Sequence, residues 1–166
     1  MSMASYSPLP YPPVCAAGKN PAYARAILSN VGGSNSEMSA VSLYFYNNLV
    51  ACAHEEIAKT FHDVSVVEMH HLEIFGRLAF QLGADPRLWN QKGSHMMYWT
   101  PAYNRYPLPI KALLQNALEG EEAAIAKYEC QASWICDQNV VENIQRILVD
   151  ERIHVEIFKS LLETLC

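Results

Sequence analysis

The chain has 166 residues, 51% of them hydrophobic and 17% charged, with a formal net charge of −5. That length suits one domain with a sizeable core, and that composition excludes a disordered chain. The acidic balance, with no basic run and no glycine-rich phosphate loop, argues against nucleic acid as a partner.

Residues 1–33 are rich in Pro, Ser, Gly and Tyr. The first basic residue is Lys19, and Pro8, Pro10, Pro12 and Pro13 would interrupt any apolar core of a secretory signal. No run of about 18 apolar residues exists anywhere, so no membrane span is expected. We expect residues 1–33 to form an arm, with a short helix near 22–28, that packs on the domain or on a partner subunit. Residues 34–166 are expected to form one helical domain.

Ser34 or Asn35 can cap a first long helix running to about residue 53, with Val41, Tyr44, Phe45, Asn48 and Cys52 around the face of Glu37. A second helix is predicted over 55–82, with Gly83 following its end and Pro86 shortly after. Residues 84–108 read as an irregular connection rich in proline and aromatics. Two further helices are predicted at 109–136 and 139–162, with Pro109 suited to a first helical position. Short links within each pair and one long connection between pairs give an all-α fold, a four-helix bundle of two antiparallel hairpins joined by a crossover. The five cysteines (Cys15, Cys52, Cys130, Cys136, Cys166) are odd in number and contain no Cys-x-x-Cys. They read as buried or incidental thiols of a reducing cytoplasm rather than as a disulfide framework or zinc finger.

The pattern Glu-x-x-His-x-Glu-Ile-Phe occurs twice, beginning at Glu68 and at Glu151. Glu37 lies 31 residues before Glu68, and Glu121 lies 30 before Glu151. Tyr44 and Tyr128 each follow the upstream glutamate by seven residues. Glu-x-x-His on a helix puts both side chains on one face, a turn apart. Counted from the turns near His54 and Asp137, the two glutamates of each hairpin fall within a few residues of the same height, about 5 Å. Four carboxylates and two imidazoles at mid-height form the ligand set of a two-metal site in a bundle core. The candidate metal ligands are therefore Glu37, Glu68, His71, Glu121, Glu151 and His154.

A duplicated structural hairpin would explain the repeat without metal. Against it, Glu151 has Ile144, Ile147, Val155 and Phe158 at helical spacing, Glu121 has Leu114, Ala117, Ile125 and Tyr128, and Glu68 has Phe61, Val64, Leu72 and Phe75. Carboxylates on such faces need partners or cations. Glu122 and Glu156, set among charged neighbours, read as surface, and Glu73 as half of a surface ion pair with Arg77. His70, beside His71, reads as off the ligand face, and His54, His62 and His95 have no partner spacing. Tyr44 and Tyr128 read as core tyrosines whose matched positions suit hydrogen bonds to ligand carboxylates.

Glu37-x-x-Ala-x-x-x-Tyr44, Glu68-x-x-His71, Gly120-Glu121 and Glu151-x-x-His154 together resemble the ferritin-like superfamily of di-metal carboxylate proteins. The segment from Val67 to Glu73 running on to Leu82-Gly83-Ala84-Asp85-Pro86 is similar to its rubrerythrin and manganese-catalase branches. The resemblance spans about residues 34–164. It implies a ferritin-like four-helix bundle, two metal ions per chain, iron or manganese, and hydrogen peroxide or dioxygen as substrate. Two departures stand out. Ala124 occupies a position where rubrerythrins usually carry a further glutamate, and a rubredoxin-type cysteine site is missing. Without an in-chain electron donor, peroxide disproportionation needs the fewest added parts, and an external electron-donor protein would make the same site a peroxidase. The alternatives are a ferroxidase or iron-storage protein and a metal-binding structural protein. A homodimer or larger homo-oligomer is expected from the aromatic crossover.

Overall fold

The structure, a computed structural model, describes residues 4–165. Four long helices form the bundle: α2 (Glu37–Val50), α3 (Glu55–Gln81), α4 (Ile110–Trp134) and α5 (Gln138–Thr164). α2 packs on α3 and α4 on α5 as two antiparallel hairpins. A preceding helix, α1 (Pro21–Gly32), is longer than the sequence suggested and lies against α3. Asn20 caps it, accepting from the N–H groups of Ala22 and Tyr23.

Several ends differ from expectation, each for a local reason. Ser36, rather than Ser34 or Asn35, caps α2 by accepting from the Ser39 N–H, and Lys127 donates to the Asn35 carbonyl just before it (2.8 Å). Pro109 stands just outside α4 in extended conformation (ψ 132°) rather than within its first turn. Asp137 caps α5, and Gly83 takes the positive φ of 104° that ends α3.

The crossover is more ordered than its composition suggested. Trp89–Lys92 (β1) pairs antiparallel with His95–Tyr98 (β2), and Gly93 turns between them at φ 62°. Neither strand alternates apolar with polar residues, so the period-two signal was absent. A 3-10 turn, Pro101–Tyr103, follows. The end of α1 meets β1 so closely that a Cβ on Gly32 would sit 2.4 Å from the Trp89 nitrogen. Trp99 donates to Ser39 Oγ (3.0 Å) and Asn104 to the Ser39 carbonyl (3.0 Å), fastening the crossover to the start of α2.

Two apolar clusters fill the bundle. One contains Ile74, Phe75, Leu78, Tyr128, Val140, Ile144 and Ile147 with the buried face of α1, and the other Leu43, Tyr44, Phe61, Val64, Leu114, Val155 and Phe158. Glu68 on α3 and Glu151 on α5 fall between the two along their helices. The sequence therefore builds a polar layer sandwiched between apolar ones.

Residues 4–20 run extended along α3 and α5. Ala16 N–H donates to Gln81 (2.8 Å), Ala17 N–H to Asp137 (2.7 Å), and Asn143 to the Pro13 carbonyl (3.1 Å). Cys15, Cys52, Cys130 and Cys136 are free and exposed, so the buried reading of the thiols does not hold for these four. Cys166 lies outside the described residues. Among the described residues no helix is long and apolar enough to cross a membrane.

Candidate metal centre

All six sequence-predicted ligand residues meet in the polar layer. Glu37 is the first residue of α2, Glu68 and His71 share a face of α3, Glu121 sits mid-way along α4, and Glu151 and His154 share a face of α5. Their relative exposures run from 0% to 3%. Donor atoms of Glu37, Glu68, His71 and Glu151 lie within 4.8 Å of one another, as do those of Glu68, Glu121, Glu151 and His154. Glu68 and Glu151 belong to both quartets and so sit at the shared centre.

Both imidazoles face the carboxylates with Nδ1. His71 Nδ1 lies 3.2 Å from Glu68 Oε2 and 3.1 Å from Glu151 Oε1. His154 Nδ1 lies 2.9 Å from Glu68 Oε1 and 3.4 Å from Glu151 Oε2. Yet Glu68 Oε1, both Glu151 oxygens and His154 Nδ1 make no hydrogen bond. Buried polar atoms that converge without bonding one another are what a shared cation requires.

The electrostatics agree. Burial, with the charges of Glu68 and Glu151, pushes the Glu37 carboxyl well above its ordinary value. Burial and the charge of Glu151 raise Glu121 to about 7. For Glu68 and Glu151, burial and a neighbouring carboxylate push upward, but contacts from His154 and His71 outweigh them and hold both below the usual range. Burial works against imidazolium at His71 and His154, and the surrounding carboxylates overcome it and raise both. Without cations this layer must take up protons. Two divalent cations would balance its four carboxylates and leave both imidazoles neutral, so the donor set fits two metal ions.

The tyrosines cross between hairpins. Tyr44 of α2 donates to Glu121 of α4, and Tyr128 of α4 donates to Glu37 of α2 at 2.5 Å. The remaining acids and histidines lie elsewhere. Glu73 pairs with Arg77 on the surface, Glu122 and Glu156 are exposed, and His54, His62, His70 and His95 are exposed.

Asp150 was not singled out from the sequence. It is 0% exposed, accepts from the Ser7 N–H (2.7 Å) and the Tyr11 hydroxyl, and lies 3.2 Å from His71 Nε2. Arg146 pairs with it at 2.8 Å. Burial opposes its charge, but the contacts from His71, Ser7, Tyr11 and Arg146 hold its carboxyl well below the usual range. The available signal was an acid one residue before Glu151 with an arginine four residues earlier. The repeat hid it, because the matching position before Glu68 is Val67.

A cavity of about 360 Å³ reaches this layer between α2 and α4. Glu37, Glu68, Glu121 and Glu151 lie at its floor, Ala124 lines its wall, and the exposed Arg105–Glu119 ion pair (2.6 Å) is among its lining residues.

Such a bundle is ferritin-like, and its buried carboxylates and paired imidazoles form a cluster that could hold metal. The family model described as Rubrerythrin matches residues 33–162, and the chain belongs to that family. Two crystal structures of KatB, a manganese catalase from Anabaena, share the fold. One aligns with TM-score 0.83 and 22% identity, covering 96% of this chain and 80% of that chain. The other, from Anabaena PCC7120, aligns with TM-score 0.83 and 20% identity over the same shares. No curated relative matches the chain.

Proposed function

We propose that the chain is a di-metal oxidoreductase acting on hydrogen peroxide, with two manganese or iron ions per chain. The observation that carries this reading is a cavity ending on a buried layer of four carboxylates and two imidazoles. Membership of the Rubrerythrin family and the fold shared with a manganese catalase support the same chemistry. Glu68 and Glu151 would hold both ions, Glu37 and His71 one, and Glu121 and His154 the other. Bound there, two such metals would supply adjacent redox-active Lewis acids able to exchange two electrons with a peroxide. Carboxylates and imidazoles suit both iron and manganese.

The chain's own residues set up that chemistry. Tyr44 and Tyr128 fix the orientation of Glu121 and Glu37. The apolar clusters on either side keep bulk water from the layer except through the cavity. The cavity admits a molecule of peroxide size. A catalase-like reaction at this site needs no electron donor, and an external electron-donor protein would turn the same site to a peroxidase reaction. A cytoplasmic homodimer or larger homo-oligomer belongs to the same reading. The exposed Phe45, Leu49, Val66, Met69 and Phe80 offer apolar area to a second copy.

The test is metal content by mass spectrometry with oxygen release from peroxide on the same sample. Two metal ions per chain with oxygen release is the expected result. Replacing Glu68 and Glu151 with Ala should abolish metal binding, whereas Glu122→Ala should leave it intact. Undiminished two-metal binding in the double variant would overturn the assignment.

A further inference from the structure

Both candidate histidines turn Nδ1 to the carboxylates and Nε2 to the outside of the bundle, where the extended arm crosses. The Ser5 carbonyl lies 2.8 Å from His154 Nε2. A carbonyl only accepts, so His154 carries a proton on Nε2, and the neutral ring then presents its Nδ1 lone pair to Glu68 and Glu151. At His71 the Tyr11 hydroxyl lies 3.3 Å from Nε2 while bonding Asp150, itself 3.2 Å from that nitrogen.

Arg146 pins the arm in this position. Its Nε donates to the Leu9 carbonyl (3.0 Å), its Nη2 to the Ser7 carbonyl (2.9 Å), and its guanidinium lies 4.0 Å from the Tyr11 ring centre. Ser7 is 6% exposed, although residues on both sides of it are exposed. Pro8, Pro10, Pro12 and Pro13 fix four φ angles in this segment, which lowers the entropy lost on docking it. The contacts of residues 5–11 thus fall on His71, His154, Asp150 and Arg146.

We propose that residues 5–13 are a strap that completes the metal centre from outside the bundle, with the Ser5 carbonyl and Tyr11 hydroxyl as positioning groups for the two imidazoles. The proposal rests on the two-metal reading above. If the strap raises metal affinity, bound metal must tighten the strap by the same factor. Arm docking and metal retention are then one equilibrium.

Manganese(II) release from the full chain into excess chelator tests this, compared with Tyr11→Phe and a variant lacking residues 1–6. Tyr11→Phe keeps the ring on Arg146 and removes only the hydroxyl. Deleting residues 1–6 removes the Ser5 carbonyl and spares Ser7. The expected result is release about 10–100-fold faster in both, with one of two ions leaving early in the deletion variant and unfolding of the metal-free proteins little changed. Amide hydrogen exchange on the unaltered chain needs no substitution, and protection at Ser7 should rise when manganese is added. Two ions held, unchanged release in the variants and a Ser7 amide indifferent to metal would overturn the strap and leave the two-metal reading standing. An unaltered chain that takes up no manganese would overturn both.

Discussion

Tyr44 donates its hydrogen bond to Glu121 on the opposite hairpin, not to a group on its own. The phenol is fully buried, and burial together with the Glu121 charge pushes its pKa well above the ordinary value, so it remains a donor. Tyr44→Phe would free one Glu121 oxygen while keeping the ring packed on Phe61 and Phe158. Metal affinity should fall about 10–100-fold. Stability of the metal-free protein should change by no more than about 1–2 kcal/mol. Metal titration and thermal unfolding on the same variant check both.

Glu37 gives the opposite balance between stability and binding. Its folded pKa is raised above the ordinary 4.5 by burial and by Glu68 and Glu151, so the unfolded chain releases this proton more readily. Stability of the metal-free protein therefore falls as pH rises above about 4.5. Glu37→Gln removes that penalty. Its metal-free melting temperature at neutral pH should rise by roughly 2–4 °C for each kcal/mol recovered, while the rise caused by added metal should shrink. Calorimetry with and without manganese measures both.

Ala124 lines the wall of the cavity that leads to the carboxylates. A phenyl ring at that position would fill part of the passage. Ala124→Phe should keep its metal content and lose at least about tenfold in kcat/KM for peroxide, since access rather than chemistry is blocked. Steady-state turnover alongside metal analysis decides it.

Lys127 places a cation where burial disfavours one. Its Nζ donates to the Ser29 and Asn35 carbonyls at 3.0 and 2.8 Å, and burial lowers its pKa from 10.5 to about 8 despite the nearby charge of Glu37. Between those values the unfolded chain binds more protons than the folded one, so this group's contribution to stability rises with pH from about 8 to 10.5. The full shift corresponds to about 3 kcal/mol. Lys127→Met should flatten that part of the pH profile, as read by denaturant unfolding at several pH values.

The convergence of the six donors was legible because helical spacing converts residue counts into heights and faces. Glu37, Glu68, Glu121 and Glu151 fall level only if the turns lie near His54 and Asp137, and α2–α3 and α4–α5 do turn there. Asp150 escaped because the repeat that marks Glu151 has valine at the corresponding place. Ser5 and Tyr11 escaped for a different reason. They reach the site from an extended arm, and a chain with no period carries no signal of which residues face inward. The hairpin at Trp89–Tyr98 was hidden in the same way, being exposed on both faces over much of its length.

The exchanged tyrosines bear on how the two halves of the chain belong together. The first hairpin holds the donor for Glu121, and the second holds the donor for Glu37. Severing the crossover would leave each half with a buried acid whose donor is on the other fragment. Neither half is then a smaller version of the whole. The reason for the fragments to reassemble lies in the site itself rather than in the loop that joins them.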